Sequence, residues 1–283
     1  MKNTFKTFVL LAALGGLAVL AGQALGGGVG AAIGLGIGLV ITLSSYWFSD
    51  KIAIKASRAK PVTEAEAPQF YRIMHDLTQR ANMPLPKLYV IPAEQPNAFA
   101  TGRNPEKSAV AATKGLLNMM DESELRGVLA HELMHIRNRD ILIGSIAAAI
   151  AMGITFLARM VMWGAMFGGS SDDEGGGGIL GFLAMAILAP IAAMLLQMAL
   201  SRSREFEADR TAARLIGDGE PLARALEKLE RGAKQIPMNV NPAEASMFIV
   251  NPFSGRQVNF VKLFSTHPPT AERIEKLRSR AWA

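Results

Sequence analysis

The sequence predicts a mainly α-helical membrane protein with four hydrophobic spans, joined to a cytoplasmic α+β domain that contains a small sheet. Charged residues are almost absent from two blocks, with two in residues 1–49 and four in residues 141–200, although 19% of the whole chain is charged. The other two blocks, residues 50–140 and 201–283, have the charge content of an ordinary soluble domain. We therefore predict two transmembrane hairpins and one polar domain that is divided between the latter two blocks.

The composition excludes several classes of protein. The chain has no cysteine, which rules out a disulfide-stabilised scaffold and a cysteine-ligated zinc site. Its net charge of +6 is not accompanied by a basic motif interleaved with aromatic residues, so we expect no nucleic-acid partner. The excess of positive charge instead fits contact with anionic lipid.

The first hydrophobic block contains two uncharged runs, residues 8–25 and 27–48, each near the roughly 20 residues that cross a bilayer as a helix. A cleaved signal peptide is the alternative for the first run. The second run follows after only a few glycines, however, and this favours a hairpin of two helices. Glycines recur at every fourth position from residue 26 to residue 38, which places them on one helix face where another helix can approach closely.

The second hydrophobic block predicts spans at residues 141–158, with an extension to 167, and at residues 179–200. The loop between them, residues 170–178, is polar, acidic and rich in glycine. Basic residues flank the outer ends of both pairs of spans. The positive-inside rule therefore places both termini and the whole polar domain on the cytoplasmic side.

The polar domain begins with a predicted helix and three predicted strands. Four apolar residues at helical spacing mark a helix over residues 64–80: Phe70, Ile73, Met74 and Leu77. Short apolar runs bounded by turn residues predict strands at residues 85–91, 97–101 and 108–113. Asp121 and Glu124 have the spacing of a capping box and predict the start of a second helix.

The second helix carries the sequence HELMH at residues 131–135. Histidines four residues apart lie on the same helix face, so the imidazoles of His131 and His135 can reach one metal ion. Glu132 can point at a metal-bound water. The alternative interpretation is a surface helix with two solvated histidines.

A catalytic zinc ion needs three protein ligands and one open position. The remaining histidines are His75 and His267, and we favour a carboxylate as the third ligand. Glu205 and Asp209 are four residues apart on a predicted helix, so Glu205 could bind the metal while Asp209 orients a ligand histidine. Spacing alone leaves Glu205 and Glu207 as nearly equal candidates, and an exposed, charged helix end is the further alternative.

Taken together, these motifs resemble those of the HtpX family of membrane zinc metalloproteases, which are relatives of the CAAX prenyl proteases of eukaryotes. The resemblance covers essentially the whole chain, including the placement of the hydrophobic segments. It is carried by HELMH at 131–135 with Asn138 and Asp140 after it, REFEAD at 204–209, NAFATG at 97–102, and THPP followed by RI at 266–274.

The resemblance implies a zincin-like metalloprotease domain with one zinc ion per chain. It makes His131, His135 and Glu205 the zinc ligands, Glu132 the catalytic base and Asp209 the residue that orients a ligand histidine.

The resemblance also implies a substrate-binding edge strand that holds substrate backbone by strand addition. Its residues are Asn97, Ala98, Phe99 and Ala100. His267 and Arg273 are implied to steady the substrate or the oxyanion, although His267 could instead cap a helix.

The implied function is a zinc-dependent endopeptidase of the bacterial inner membrane that hydrolyses peptide bonds of misfolded or membrane proteins, in protein quality control. Glu132 would activate a zinc-bound water for this reaction. The expected partners are polypeptide substrates and the lipid bilayer. We also expect both metal-binding helices to continue directly into the third and fourth spans, with the zinc site one or two helical turns above the cytoplasmic surface.

Three alternatives to this function remain. A processing protease with one dedicated substrate would have the same chemistry. A catalytically silent membrane scaffold that keeps zinc for structure is disfavoured by Glu132, because a structural site needs no base. A transporter or channel is disfavoured because the predicted spans contain no acidic pair and no broken-helix repeat.

Overall fold

The structure of the protein, a computed structural model, describes residues 57–140, 202–235 and 268–280 without interruption. It also describes residues 27–37 and shorter groups elsewhere, among them residues 47–48, residues 53–55 and Ile249. The predicted spans at 141–167 and 179–200 lie outside the described residues, as does most of the predicted span at 8–25. Among the residues that the structure describes, no helix is both long enough and apolar enough to cross a bilayer.

The Cα positions divide the chain into two compact units. One comprises Met1–Tyr46 and Ser145–Gln197, and the other comprises Trp47–Gly144 and Met198–Ala283. Every strand that the structure describes belongs to the second unit.

The second unit contains a small mixed sheet of four strands. These are β1 (Lys60–Pro61), β2 (Lys87–Ile91), β3 (Ala98–Gly102) and β4 (Ser108–Thr113). Their order is β1-β2-β4-β3, in which β2 and β4 are parallel and the other two pairs are antiparallel. The three predicted strands are confirmed as β2, β3 and β4, and β3 lies at an edge of the sheet.

The edge strand β3 presents the backbone groups of alternate residues to its free side. Ala100 pairs with Val110 of β4, and the N–H of Thr113 donates to the carbonyl oxygen of Asn97 at 2.9 Å. Backbone groups of successive residues in an antiparallel strand point to opposite sides. Since Asn97 faces β4, the N–H and C=O groups of Ala98 and Ala100 lie on the side of β3 that no described strand covers.

In the second unit, six α-helices whose residues are all described surround one face of the sheet or connect its elements. They are α1 (Pro68–Ala81), α2 (Lys114–Met119), α3 (Glu122–Arg137), α4 (residues 202–216), α5 (Glu220–Gln235) and α6 (Thr270–Arg278). The helix α3 is central, because it contacts α1, α5 and β3. The four apolar residues predicted to form the inner face of α1 are all buried, which confirms that prediction.

The predicted capping box starts α3. The side chain of Asp121 accepts a hydrogen bond from the N–H of Glu124 at 2.9 Å, and the carboxylate of Glu124 accepts one from the N–H of Asp121 at 3.0 Å. The ammonium of Lys228, 2.6 Å from the same carboxylate, ties this end of α3 to α5. A Cβ atom on Gly127 would lie 2.7 Å from the backbone nitrogen of Leu222, so only glycine lets the two helices approach this closely.

The helix α3 ends at Arg137, so the prediction that it continues directly into the third hydrophobic run is wrong. Asn138 is the C-cap, and Arg139 adopts the left-handed conformation with a φ of 58°. A residue in that region cannot continue a right-handed helix. The interruption redirects the chain just before Asp140.

Both faces of the sheet are covered. The face that includes Ala98 and Val110 packs into the main core with α1, α3 and α5. On the opposite face, Phe99 and Ala111 form a smaller apolar cluster, against which Ile54 and its neighbours pack. The segment that precedes β1 therefore lies against the back of the edge strand.

Candidate metal centre and active site

Three potential metal ligands converge where α4 meets α3. The Nε2 atoms of His131 and His135 lie 3.1 Å apart. The two carboxylate oxygens of Glu205 lie 3.5 Å from Nε2 of His135 and 3.6 Å from Nε2 of His131. Donors that bind a tetrahedral zinc ion at about 2.0–2.1 Å are separated from each other by about 3.4 Å. The spacing and the chemistry of these three side chains therefore fit a zinc ion.

The structure shows which of Glu205 and Glu207 faces the two histidines, a choice that the spacing of the sequence left open. Glu205 is 6% exposed and faces both histidines, whereas the side chain of Glu207 is 51% exposed and lies 3.7 Å from Arg210. Residues two positions apart on a helix point about 200° away from each other. Only one of the two glutamates can therefore face α3, and it is Glu205.

A buried ion pair lies behind His131. An oxygen of Asp209 is 2.9 Å from Nδ1 of His131. The guanidinium of Arg273 donates two hydrogen bonds to Asp209, each of 2.7 Å, and its third nitrogen lies 3.2 Å from Glu205. Arg273 is 1% exposed, so its charge is directed entirely to these carboxylates and to nearby backbone.

Asp140 holds the corresponding position behind His135, a role that the sequence did not reveal. Its Oδ2 atom lies 3.1 Å from Nδ1 of His135, and Arg204 donates a hydrogen bond of 3.0 Å to its carbonyl oxygen. The turn at Asn138 and Arg139 brings the Asp140 side chain back towards the helix. An acidic residue five positions after the second histidine was the only available signal, and its meaning depends on that turn.

The two carboxylates give both histidines the same orientation. A carboxylate accepts the proton of Nδ1 and leaves Nε2 with a lone pair for a metal ion. Asp209 can do this for His131, and Asp140 can do it for His135. The two Nε2 atoms consequently face each other across the position that a metal would take.

The electrostatic environment favours a positive charge between His131, His135 and Glu205. Burial alone would lower the pKa of His135, but hydrogen bonds with Asp140 and Glu205 outweigh it and raise the pKa to about 10. Burial and the neighbouring imidazole also oppose the charging of His131, yet Asp209 and Glu205 raise its pKa. A cluster that raises the pKa of its histidines in this way attracts a proton or a metal cation.

The pKa of Asp209 moves in the opposite direction. Burial would raise that pKa, but the charge and hydrogen bonds of Arg273, with a further hydrogen bond from His131, hold it below its usual range. Asp209 therefore stays ionised although it is only 4% exposed.

Glu132 lies between the metal ligands and the edge strand. It is 4% exposed, and burial raises the pKa of its carboxyl group, against the opposing effect of His131 and His135. The N–H of Ala100 donates a hydrogen bond to the carboxylate. Because that N–H points away from β4, Glu132 lies beside the free edge of β3.

The other predicted site residues are those of the edge strand, residues 97–100, and His267. The backbone groups of Asn97 and Phe99 face β4, and those of Ala98 and Ala100 point away from it. Substrate binding by these four residues stays a prediction. The side chain of Asn97 accepts a hydrogen bond from the N–H of Ile249 at 3.2 Å, and the carbonyl of Ile249 accepts one from Arg273 at 2.9 Å. His267 lies outside the described residues.

Residues 64–281 match the sequence model of "Peptidase family M48". A relative described as "Protease HtpX homolog" in Syntrophobacter fumaroxidans is 54% identical over 283 residues, which cover 99% of this chain and 100% of the relative. A relative of the same description in Pelotomaculum thermopropionicum is 53% identical and covers 99% of both chains.

The fold is also similar to that of a solved structure, the crystal structure of S. mikatae Ste24p. The TM-score is 0.58 at 23% sequence identity, and the match covers 98% of this chain. It covers 65% of the Ste24p chain, so this chain spans slightly less than two thirds of that protein.

Proposed function

The chain belongs to peptidase family M48, among the HtpX proteases, and is a metallopeptidase; from that premise we propose that it is a zinc endopeptidase anchored in the bacterial inner membrane. Its substrates would be misfolded polypeptides and membrane proteins, and its role would be protein quality control. The observation that carries this proposal is the set of three metal donors 3.1–3.6 Å apart with the buried Glu132 beside them.

His131, His135 and Glu205 would hold the zinc ion. When bound, zinc would supply a Lewis acid for the peptide carbonyl and for water. Asp209 and Asp140 would keep the two imidazoles in the orientation and tautomer that binding requires. Neither carboxylate needs to move, since each already lies within 3.1 Å of its histidine.

Glu132 would act as the general base and then as the general acid. Burial raises the pKa of its carboxyl group, which makes the carboxylate a stronger base for taking a proton from water. Glu132 would take a proton from the attacking water and deliver it to the leaving amine of the substrate. No serine or cysteine nucleophile is required.

Arg273 would position the site rather than touch the substrate. The sequence resemblance implied contact with the substrate or the oxyanion, but the guanidinium is 1% exposed and bonded to Asp209. It would act by fixing Asp209 and Glu205, and through them His131.

Substrate would bind as an added strand on the free side of β3. The N–H and C=O groups of Ala98 and the C=O group of Ala100 are the backbone groups available there, and strand addition uses such groups for affinity. Because the N–H of Ala100 already contacts Glu132, a peptide bond held on this strand would lie next to the base.

The two charge-poor blocks would form the membrane anchors. Residues 1–49 and 141–200 would each form a transmembrane hairpin, and residues 50–140 and 201–283 would form one catalytic domain on the cytoplasmic side. The distribution of charged residues along the chain supports this division.

The proposal is tested with the Glu132→Gln variant of the full chain, purified in detergent with zinc. We expect kcat for cleavage of an unfolded protein to fall by about 10²–10⁴-fold, the usual contribution of a general acid–base residue, while the zinc content stays the same. Glu207→Gln, which changes an exposed glutamate of α4, is the matched control and should retain activity. Equal cleavage by the zinc-loaded wild type and Glu132→Gln would contradict the proposed mechanism.

A further inference from the structure

The large apolar side chains that the described part of the chain leaves exposed all belong to one segment, residues 29–48. They range from 44% to 73% exposed. The set is Val29, Ile33, Leu35, Ile37, Leu39, Val40, Trp47 and Phe48. Six of them, from Val29 to Val40, belong to the first compact unit, and Trp47 and Phe48 belong to the second. Exposed apolar side chains that accumulate in one segment are typical of a surface that contacts another apolar medium.

The last two residues of this set are aromatic, and each is paired with a basic side chain. Trp47 is 51% exposed and lies under the guanidinium of Arg103, which is 4.2 Å from the ring centre. Phe48 is 49% exposed and has the ammonium of Lys51 at 5.6 Å from its ring centre. Both distances lie within the range of cation–π attraction. Exposed aromatic rings next to basic residues are typical of the membrane–water interface, where rings meet lipid and cations meet headgroups.

The charge around the two aromatic residues is complementary to an anionic surface. Residues 47–60 contain four basic residues and a single acidic one, Asp50. The segment that carries Arg103 is also basic: residues 103–107 contain two basic residues, Arg103 and Lys107, and one acidic residue, Glu106. Each basic residue close to an anionic leaflet contributes attraction, and that attraction falls off within a Debye length.

This aromatic and basic cluster is attached to the candidate substrate strand. Arg103 directly follows Gly102, the last residue of β3. The segment that follows Trp47 also contacts the sheet, because Ile54 packs against the face that carries Phe99. The orientation of β3 is therefore linked to the orientation of the two aromatic side chains.

We infer that Trp47, Phe48, Lys51 and Arg103 form a contact surface for an anionic bilayer, and that this surface holds the Gly102 end of β3 at the level of the lipid headgroups. A polypeptide chain that leaves the bilayer would then reach the free side of β3 directly. A substrate attached to the bilayer would therefore gain from this contact, and a soluble substrate would not. This inference rests on the proposed function, since it assumes that β3 binds substrate.

The position of Trp47 is tested by fluorescence in vesicles of phosphatidylcholine and phosphatidylglycerol. The full chain carries Trp163→Phe and Trp282→Phe, so that Trp47 is the remaining tryptophan of the three. We expect lipids brominated near the headgroup to quench its emission more strongly than lipids brominated near the chain end. Absence of quenching by any brominated lipid would overturn the inference, and so would stronger quenching from the bilayer centre.

The role of Arg103 is tested with one peptide sequence presented in two forms, free in solution and attached to a lipid in phosphatidylglycerol vesicles. We expect Arg103→Gln to lower the cleavage rate of the lipid-attached peptide by about fivefold, the effect of one basic residue at an anionic surface, and to leave the free peptide unaffected. Arg103→Lys should restore the rate. Arg231→Gln, which removes an exposed arginine of α5, is the matched control.

The outcomes separate this inference from the proposed function. Failure of the wild type to cleave either peptide would contradict the endopeptidase assignment itself. If the wild type cleaves both peptides and Arg103→Gln changes neither rate, or lowers both equally, the bilayer contact of Arg103 is contradicted while the protease assignment stands.

Discussion

The two faces of α3 take part in ion pairs in opposite surroundings. On the outer face, Glu122 pairs with Arg72 at 2.7 Å, and Arg126 pairs with Asp76, with side chains that are 27–63% exposed. On the inner face, His131 meets Asp209, which pairs with Arg273, and these three side chains are 1–6% exposed. The same helix therefore holds ion pairs in water and ion pairs in the core.

The difference shows what burial does to an ion pair. An exposed pair contributes about 0–1 kcal/mol, because water already solvates both partners. A buried charge that loses its partner costs about 3–5 kcal/mol. We therefore expect substitutions on the inner face to have large effects on stability or metal affinity, and equivalent substitutions on the outer face to have small ones.

The largest effect is expected for Arg273→Met, which removes the guanidinium partner of the buried Asp209 and leaves it only its contact with His131. We expect the metal-free protein to lose about 3–5 kcal/mol of unfolding free energy, measured by denaturant titration in detergent. Arg278→Met removes an arginine from the same helix, α6, but its side chain is 43% exposed, and the loss should be much smaller. Equal losses in the two variants would contradict the distinction between buried and exposed ion pairs.

A smaller but measurable effect is expected for Asp140→Asn, which keeps the size of the side chain but removes its charge. Zinc affinity, measured by competition with a chelator, should fall by about 10–100-fold, because the carboxylate that orients His135 is lost. Asp209→Asn should act in the same direction through His131, and Glu207→Gln should leave the affinity unchanged. Unchanged affinity in Asp140→Asn would show that the contact with His135 has no role in metal binding.

The smallest effect is expected for Arg126→Ala on the outer face. Burial opposes the ionisation of Asp76, but hydrogen bonds from Arg80 and Arg126 outweigh it and lower the pKa of that carboxyl group. A carboxyl group with a lowered folded-state pKa adds stability above its unfolded pKa of about 3.9 and loses that contribution as the pH falls through the folded value. The variant should therefore lose less than about 1 kcal/mol at pH 7, and the difference from wild type should shrink below about pH 4.

Denaturant titrations at pH 7 and pH 3 provide the measurement for Arg126→Ala. A difference that grows as the pH falls would contradict the assigned sign. A loss of several kcal/mol at pH 7 would contradict the classification of this pair as a surface pair.

Local patterns in the sequence predicted the parts of the site that lie within one helix or one strand. The capping box at Asp121, the inner face of α1 and the pairing of His131 with His135 all depend on spacings of three or four residues, which a helix fixes by its geometry. The strand β3 was predicted in the same way, from a short apolar run between turn residues.

Contacts that depend on the path of the chain could not be predicted in this way. Spacing left Glu205 and Glu207 equal, because only the packing of α4 against α3 decides which one faces inwards. Asp140 had no predicted role, because the turn at Arg139 has no glycine to announce its positive φ. Arg273 is 64 residues from Asp209, and no local pattern connects residues that far apart.

The hydrogen bond between Arg204 and the carbonyl of Asp140 has an evolutionary consequence. It joins two residues that are 64 positions apart in the chain. A guanidinium nitrogen of Arg204 and the carbonyl oxygen of Asp140, at the two ends of the intervening stretch, lie 3.0 Å apart. Chain segments whose ends meet tolerate exchange and changes of length, because the entropy of closing them grows only slowly with the number of residues. The stretch between Asp140 and Arg204 can therefore diverge or be replaced as a cassette while the third metal ligand, at Glu205, keeps its place.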